Sequence, residues 1–353
     1  MLAGSVVTKF PSTFTLNVSG SISILGVKLF KTMSFLLLYG GYDPLEAYGL
    51  LLQGSVGGVR EIGETLVRTT SLLLTGLAIG FAFRCRLWNI GAEGQLYFGA
   101  IGSVIIALTV VGQIPVFGVI IAIIFGAIFG AGWAAIAGLL KSRLGVNEII
   151  VTIMLNFIAI LFVDFLVRGP MQAVGFEPQT ELIPLTAQLP MLIEGTRLHA
   201  GFLLAIGAAI LVYLILFKTK LGFSLRATGV NPKAASYAGI DIKKSILITI
   251  IISGAIAGIA GAALVQGVND RLLPHISPGY GFIAIVIALL GREHPLGIAF
   301  VAVFFGALMS GANLMYQTMG IPVAIAGTLQ ALVLIFALIG EFIARWKFKG
   351  VGK

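Results

Sequence analysis

Long apolar runs separated by short polar segments set the pattern of this chain. Runs of membrane-crossing length fall at 22–40, 66–83, 115–140, 148–167, 201–217, 245–265, 296–314 and 323–344, and another leads from Gln95 to about Val111. A helix of roughly twenty apolar residues crosses a bilayer, and in lipid it satisfies its own backbone. The pattern therefore predicts an all-α polytopic membrane protein of about ten transmembrane helices. Continuous runs, rather than short alternating ones, exclude a β-barrel. One apolar run, Tyr280–Leu290, is too short to cross straight and predicts a discontinuous segment. Its counterpart is the polar, Gly-punctuated stretch 89–95, and paired interruptions of this kind point to a transport path between two halves. The expected organisation is an N-terminal segment 1–21, one transmembrane domain 22–344 and a basic tail 345–353. The first run carries Lys28 and Lys31, whose stems can snorkel to the interface.

Charge orients these runs. Arg84 and Arg86, Lys141 and Arg143, Arg292, the tail with Arg345, Lys347 and Lys349, and the loop 218–244 all fall on one side when the crossings are counted. Lys and Arg concentrate in short cytoplasmic loops, so both termini are expected inside the cell. The loop 218–244 sets Lys218, Lys220, Arg226, Lys233, Lys243 and Lys244 against a single acid, Asp241. Within it, Asn231 and Pro232 supply an N-cap and a first helical residue. A short helix over 233–238 should follow, stopped by Gly239. The small side chains of Ala234, Ala235 and Ala238 fit a face that a partner can approach closely; the plain alternative is a connector held at the lipid headgroups. The loop 169–200 holds Pro170, Pro178, Pro184 and Pro190, with Glu177, Glu181 and Glu194 against Arg197. Its charge places it outside and its prolines argue against one long helix. It reads as a landing surface for an external partner or as a passive connector.

Composition narrows the chemistry. Hydrophobic residues make up 58% and charged residues 10%, and the mean hydropathy is +1.05, which excludes an ordinary soluble domain. The net charge of +9 sits where membrane orientation explains it, so nucleic acid is not implied. A single cysteine, Cys85, excludes an intrachain disulfide, and His199, His275 and His294 have no metal-ligand spacing. No phosphate-binding Gly-Lys-Ser/Thr loop occurs, so ATP, if used, is bound by another chain; no cofactor or metal is expected. Gly126, Gly130, Ala134 and Gly138 recur every fourth residue, and Gly254 and Gly258 repeat that spacing, which makes packing seams. Asn89, Glu93, Gln95 and Asn156 are polar residues next to or within apolar runs, and so must face helices or a cavity rather than lipid. The 89–95 stretch reads as a turn with Glu93 neutralised near Arg84 or Arg86, or as a broken helix lining a water-filled path. Asn156 reads as a helix–helix hydrogen bond or as a solute contact. No carboxylate, histidine or serine constellation of an integral membrane enzyme is present.

Four stretches resemble one known family. The run 225–240, L-R-A-T-G-V-N-P-K-A-A-S-Y-A-G-I, resembles the coupling loop of bacterial ABC-importer permeases of the branched-chain amino acid, ribose and nucleoside group. The stretch W-N-I-G-A-E-G-Q-L at 88–96 is similar to that family's F-N-I-G-x-E-G-Q signature, and 147–156 and 279–297 are similar to two further signatures, closest to the nucleoside and simple-sugar branch. The resemblance implies a permease subunit in a bacterial-type cytoplasmic (inner) membrane, paired with a second permease, identical or related. It also implies a separate ABC ATPase docked on the coupling loop and an extracytoplasmic solute-binding protein. Coupling to the ATPase is implied for Arg226, Gly229, Asn231, Pro232, Ala234, Ala235, Ala238 and Gly239, and the path for Asn89, Glu93, Gln95 and Asn156. The alternative is an ion-coupled secondary transporter, which needs ionisable residues at the midplane; Asp164, towards one end of its run, is the one candidate.

Overall fold

The computed structural model describes residue 28, residues 30–109 and 114–322, and residues 324, 327, 328, 331, 332, 335, 336 and 339. The expected segments 1–21 and 345–353 lie outside the described residues, as does much of the last expected run. In chain order the helices are α1 (Phe30–Tyr39), then α2 (Pro44–Val56), α3 (Val59–Phe83), α4 (Ala92–Ala107), α5 (Phe117–Leu144), α6 (Glu148–Arg168), α7 (Gly201–Lys218), α8 (Lys220–Val230), α9 (Pro232–Tyr237), α10 (Ile242–Leu264), α11 (Tyr280–Leu290) and α12 (Pro295–Met319). Among the described residues six helices are long and apolar enough to cross a membrane: α3, α5, α6, α7, α10 with its π-helical extension to Asn269, and α12. Helices α1, α4 and α11 are apolar but shorter.

The chain divides into two compact units. In one, residues up to Leu52 and from Ala312, the core joins Met33, Leu37, Ala47, Met315 and Ile321. There the Phe30 and Tyr48 rings stack at 4.6 Å.

The other unit, Gln53–Gly311, carries the features that matter for function. Its helices differ sharply in how they are surrounded. The most apolar stretch of α3 is 89% buried within the protein, whereas those of α5, α6 and α7 are 22% buried. A helix apolar on all sides and packed on all sides is central, and one with bare apolar faces meets lipid. Helix α3 begins at Val59, earlier than the apolar pattern indicated, because Arg60, Glu61 and Glu64 occupy its first turns.

The two small-residue seams pack on each other. A side chain at Gly130 would strike the Gly254 carbonyl, and one at Gly258 would strike the Gly126 carbonyl. Helix α4 joins the same face of α10, with Gly99 against Gly258 and Gly261 against Leu96. Without a hydrophobic drive between helices in lipid, such backbone-to-backbone approach supplies the packing contacts.

The 169–200 loop is tied down rather than loose. Thr180 and Leu272 exchange hydrogen bonds, Ile183 N–H donates to Asp270 and Leu189 N–H donates to Gln266. Thr180 is consequently fully buried, while Val174 and Phe176 in the same loop stand fully exposed.

Candidate functional site

The first candidate site is the polar joint between α3 and α4. After α3 ends, Arg86 takes a left-handed conformation, φ 52°, and the chain turns back through Asn89. Asn89 Oδ1 accepts from Gly91 N–H at 3.0 Å and from Gln95 Nε2 at 2.9 Å, and Asn89 Nδ2 donates to Gln95 Oε1 at 3.0 Å and to Ser253 Oγ on α10 at 2.8 Å. The two amides thus pair reciprocally, each giving the other one donor and one acceptor. Asn156 on α6 accepts from Gly94 N–H at 2.8 Å and donates to Ile90 O at 2.9 Å. Glu93 Oε2 accepts from Gly281 N–H at 2.6 Å.

All four predicted path residues, Asn89, Glu93, Gln95 and Asn156, are therefore brought together, and each is at most 1% exposed. They bind the interrupted backbone at 89–95 to α6, α10 and α11. Irregular backbone buried in protein is tolerated where protein groups satisfy it, and here Asn89 does so at Gly91 and Asn156 at Gly94 and Ile90. Neutralisation of Glu93 near Arg84 or Arg86, part of one of the two readings of 89–95, is not what the structure shows. Arg84 Nε donates instead to the Glu293 carbonyl at 2.9 Å, while Glu93 caps the buried amide end of α11 at Gly281, where the helix dipole favours a carboxylate.

The second candidate site is the α8–α9 loop. Asn231 caps α9 by accepting from Ala234 N–H at 3.1 Å, with Pro232 at the first helical position. Gly239 follows with φ 80°, the left-handed stop that glycine supplies. Helix α8 was not evident in the sequence: Thr219 starts it by accepting from Gly222 N–H at 3.1 Å, and Gly222 lies against the backbone of α7.

Three residues assigned to docking point elsewhere. Ala235 is 4% exposed, because a six-residue helix lying on the protein must bury one side; it faces its own chain. Gly229 is pressed against the backbone of Arg84 and Cys85, where any side chain would collide. Arg226 donates to Gly222 O at 3.3 Å and sets its guanidinium 5.2 Å from the centre of the Phe217 ring, so its charge is engaged within the chain. The exposed surface is made by Asn231, Pro232, Lys233, Ala234, Ser236, Ala238 and Gly239. It also includes Tyr237, 94% exposed, and Val230, which sequence reasoning passed over. An exposed aromatic inside a basic polar loop is the signal that could have marked it.

Comparison with known proteins gives a consistent picture. Residues 62–338 match the family model described as branched-chain amino acid transport system / permease component. The glucose ABC transporter permease protein of Haloferax volcanii is 34% identical over 86% of this chain and 83% of its own length. The nucleoside ABC transporter permease protein of Lactococcus lactis subsp. cremoris is 34% identical over 86% of each chain. The guanosine ABC transporter permease protein of Bacillus subtilis is 35% identical over 86% of this chain and 88% of its own length.

Proposed function

The chain belongs to the branched-chain amino acid transport system / permease component family, and from that premise we propose that it is the membrane permease subunit of an ATP-driven importer for a nucleoside or a simple sugar. The solute class rests on relatives that are permeases for glucose, nucleosides and guanosine and match along most of its length. ATP is hydrolysed on a separate subunit, and this chain makes and breaks no bond. Its partners are that ATPase, a second permease, an external binding protein and the lipid of the cytoplasmic membrane, which α1, α4, α11 and the apolar run 323–344 enter alongside the six long helices, for about ten segments in all.

The observation that carries this reading is the solvent-exposed helix α9. It is capped at both ends and presents Ala234 and Ala238 beside an exposed Tyr237. Small residues allow close approach and an exposed aromatic supplies an anchor. Movement of a docked ATPase would act on α9 and bias the helices between outward- and inward-open states. Uptake of radiolabelled guanosine and glucose into proteoliposomes tests it, with the permease, its ATPase and its binding protein reconstituted together. Accumulation that requires ATP and the ATPase is expected. Accumulation driven by an ion gradient without the ATPase would establish a secondary transporter instead.

A further inference from the structure

Phe217, at the end of α7, sits at a junction that docking alone does not explain. Two guanidinium groups approach its ring, Arg226 of α8 at 5.2 Å and Arg84 of the α3 end at 5.5 Å from the centroid. The His294 ring lies 5.4 Å away and the Tyr213 ring 5.2 Å. Arg84 reaches on from the ring to the turn that follows α11, donating to the Glu293 carbonyl at 2.9 Å and the Arg292 carbonyl at 3.2 Å. Both residues of that turn are left-handed, with φ 52° for Arg292 and 55° for Glu293. Neither is glycine, so the conformation is sparsely populated and must be held by its surroundings.

The other end of α11 is held just as specifically. Gly281 N–H is bonded to Glu93, and Ser277 Oγ accepts from Gly279 and Tyr280 N–H at 3.2 and 3.0 Å. Helix α11 is therefore a short helix held at both ends, the turn after its C-terminus by Arg84 and its N-terminus by Glu93 and Ser277. Its C-terminal turn is one ring away from α8, and α8 runs through Asn231 directly into α9.

We propose that Phe217 is the positioning residue through which displacement of α8 and α9 reaches the Arg292–Glu293 turn and, along α11, the Glu93–Gly281 bond. A ring face attracts both cations, which would otherwise repel each other, so Arg226 and Arg84 move together only while the ring holds them. The inference rests on the importer reading and deepens it by naming the route inside the permease.

The reconstituted importer tests it with two variants. Phe217→Leu keeps apolar bulk and removes the ring; Phe217→Tyr keeps the ring. Phe217→Leu should still co-purify with the ATPase, because α9 is untouched. Its guanosine or glucose uptake per ATP hydrolysed should fall on the order of fivefold, the scale of a lost cation–π contact, with Phe217→Tyr near wild type. An unchanged ratio in Phe217→Leu, or an equal fall in both variants, would overturn the proposal. If Phe217→Leu does not fold, Arg226→Gln must show the same loss of coupling with the ATPase retained; an unchanged ratio there would overturn it equally. A wild-type complex without ATP-driven uptake is a different failure, which removes the importer reading and this inference with it.

Discussion

The carboxylate of Glu93, at the start of α4, accepts a hydrogen bond from Gly281 N–H, at the start of α11. Each of these half-length helices thus begins at the other, and one buried acid closes the join. Replacing it by alanine leaves the buried Gly281 N–H without this acceptor, while Ser277 still holds the Gly279 and Tyr280 amides. Glu93→Ala should destabilise the folded permease by about 1–3 kcal/mol, and Glu93→Gln, which keeps an acceptor, by less. Thermal unfolding of the detergent-purified variants measures the difference. Loss of transport in a fully stable Glu93→Gln would assign the charge to the path rather than to the cap.

The α5–α10 seam makes a contrast within one helix. Gly130 has the Gly254 carbonyl where its side chain would lie, whereas Gly132 has nothing within 4 Å. Gly130→Ala should lose roughly 1–3 kcal/mol or prevent folding, from overpacking against backbone. Gly132→Ala should be neutral or stabilising by up to about 1 kcal/mol, because alanine favours helix. Yield of monodisperse protein and melting temperature distinguish the two.

His199 gives a pH dependence. Its Nδ1 accepts from Gly201 N–H at 3.1 Å, and burial first, then the Arg197 charge, push its pKa from the ordinary 6.5 down to about 4. Between those values the unfolded chain takes up a proton that the folded chain refuses. Stability contributed by His199 is therefore complete above about 6.5 and is lost as pH falls towards 4. Melting temperature should drop across that window, and His199→Gln should flatten the drop.

Topology can be read with impermeant thiol reagents in intact cells, in a background lacking the buried Cys85. A cysteine at Ser236 should be protected and one at Val174 labelled. Val174 is the suitable outer position because Thr180, in the same loop, is fully buried. Labelling of both from outside would overturn the charge-based orientation.

Much of this was legible because it is local. The half-length of α11 shows as an apolar run with the bounds of the helix itself, and α9 shows as Asn-Pro followed by small residues and glycine. The two seams show as four-residue spacing, although nothing in either says that they meet. What stayed hidden depends on distant pairs. Glu93 finds Gly281 across 188 residues, and no local rule chooses that amide over a nearby arginine. Which alanine of α9 faces inward depends on how α8 lies against the backbone of Arg84 and Cys85, and α8 itself reads as polar loop because its starting contact is a single threonine.

Docking of an ATPase on α9 is what we propose. Ala234 is exposed and Ala235 buried on the same short helix, so they separate docking from folding. Ala235→Trp should disrupt the loop itself by overpacking. Ala234→Trp should leave the permease inserted and folded. The direct measurement is co-purification of the ATPase with wild-type and Ala234→Trp permease. The folded Ala234→Trp protein should lose most of the bound ATPase. Full retention of the ATPase by that protein, with solute-stimulated ATP hydrolysis unchanged, would contradict it.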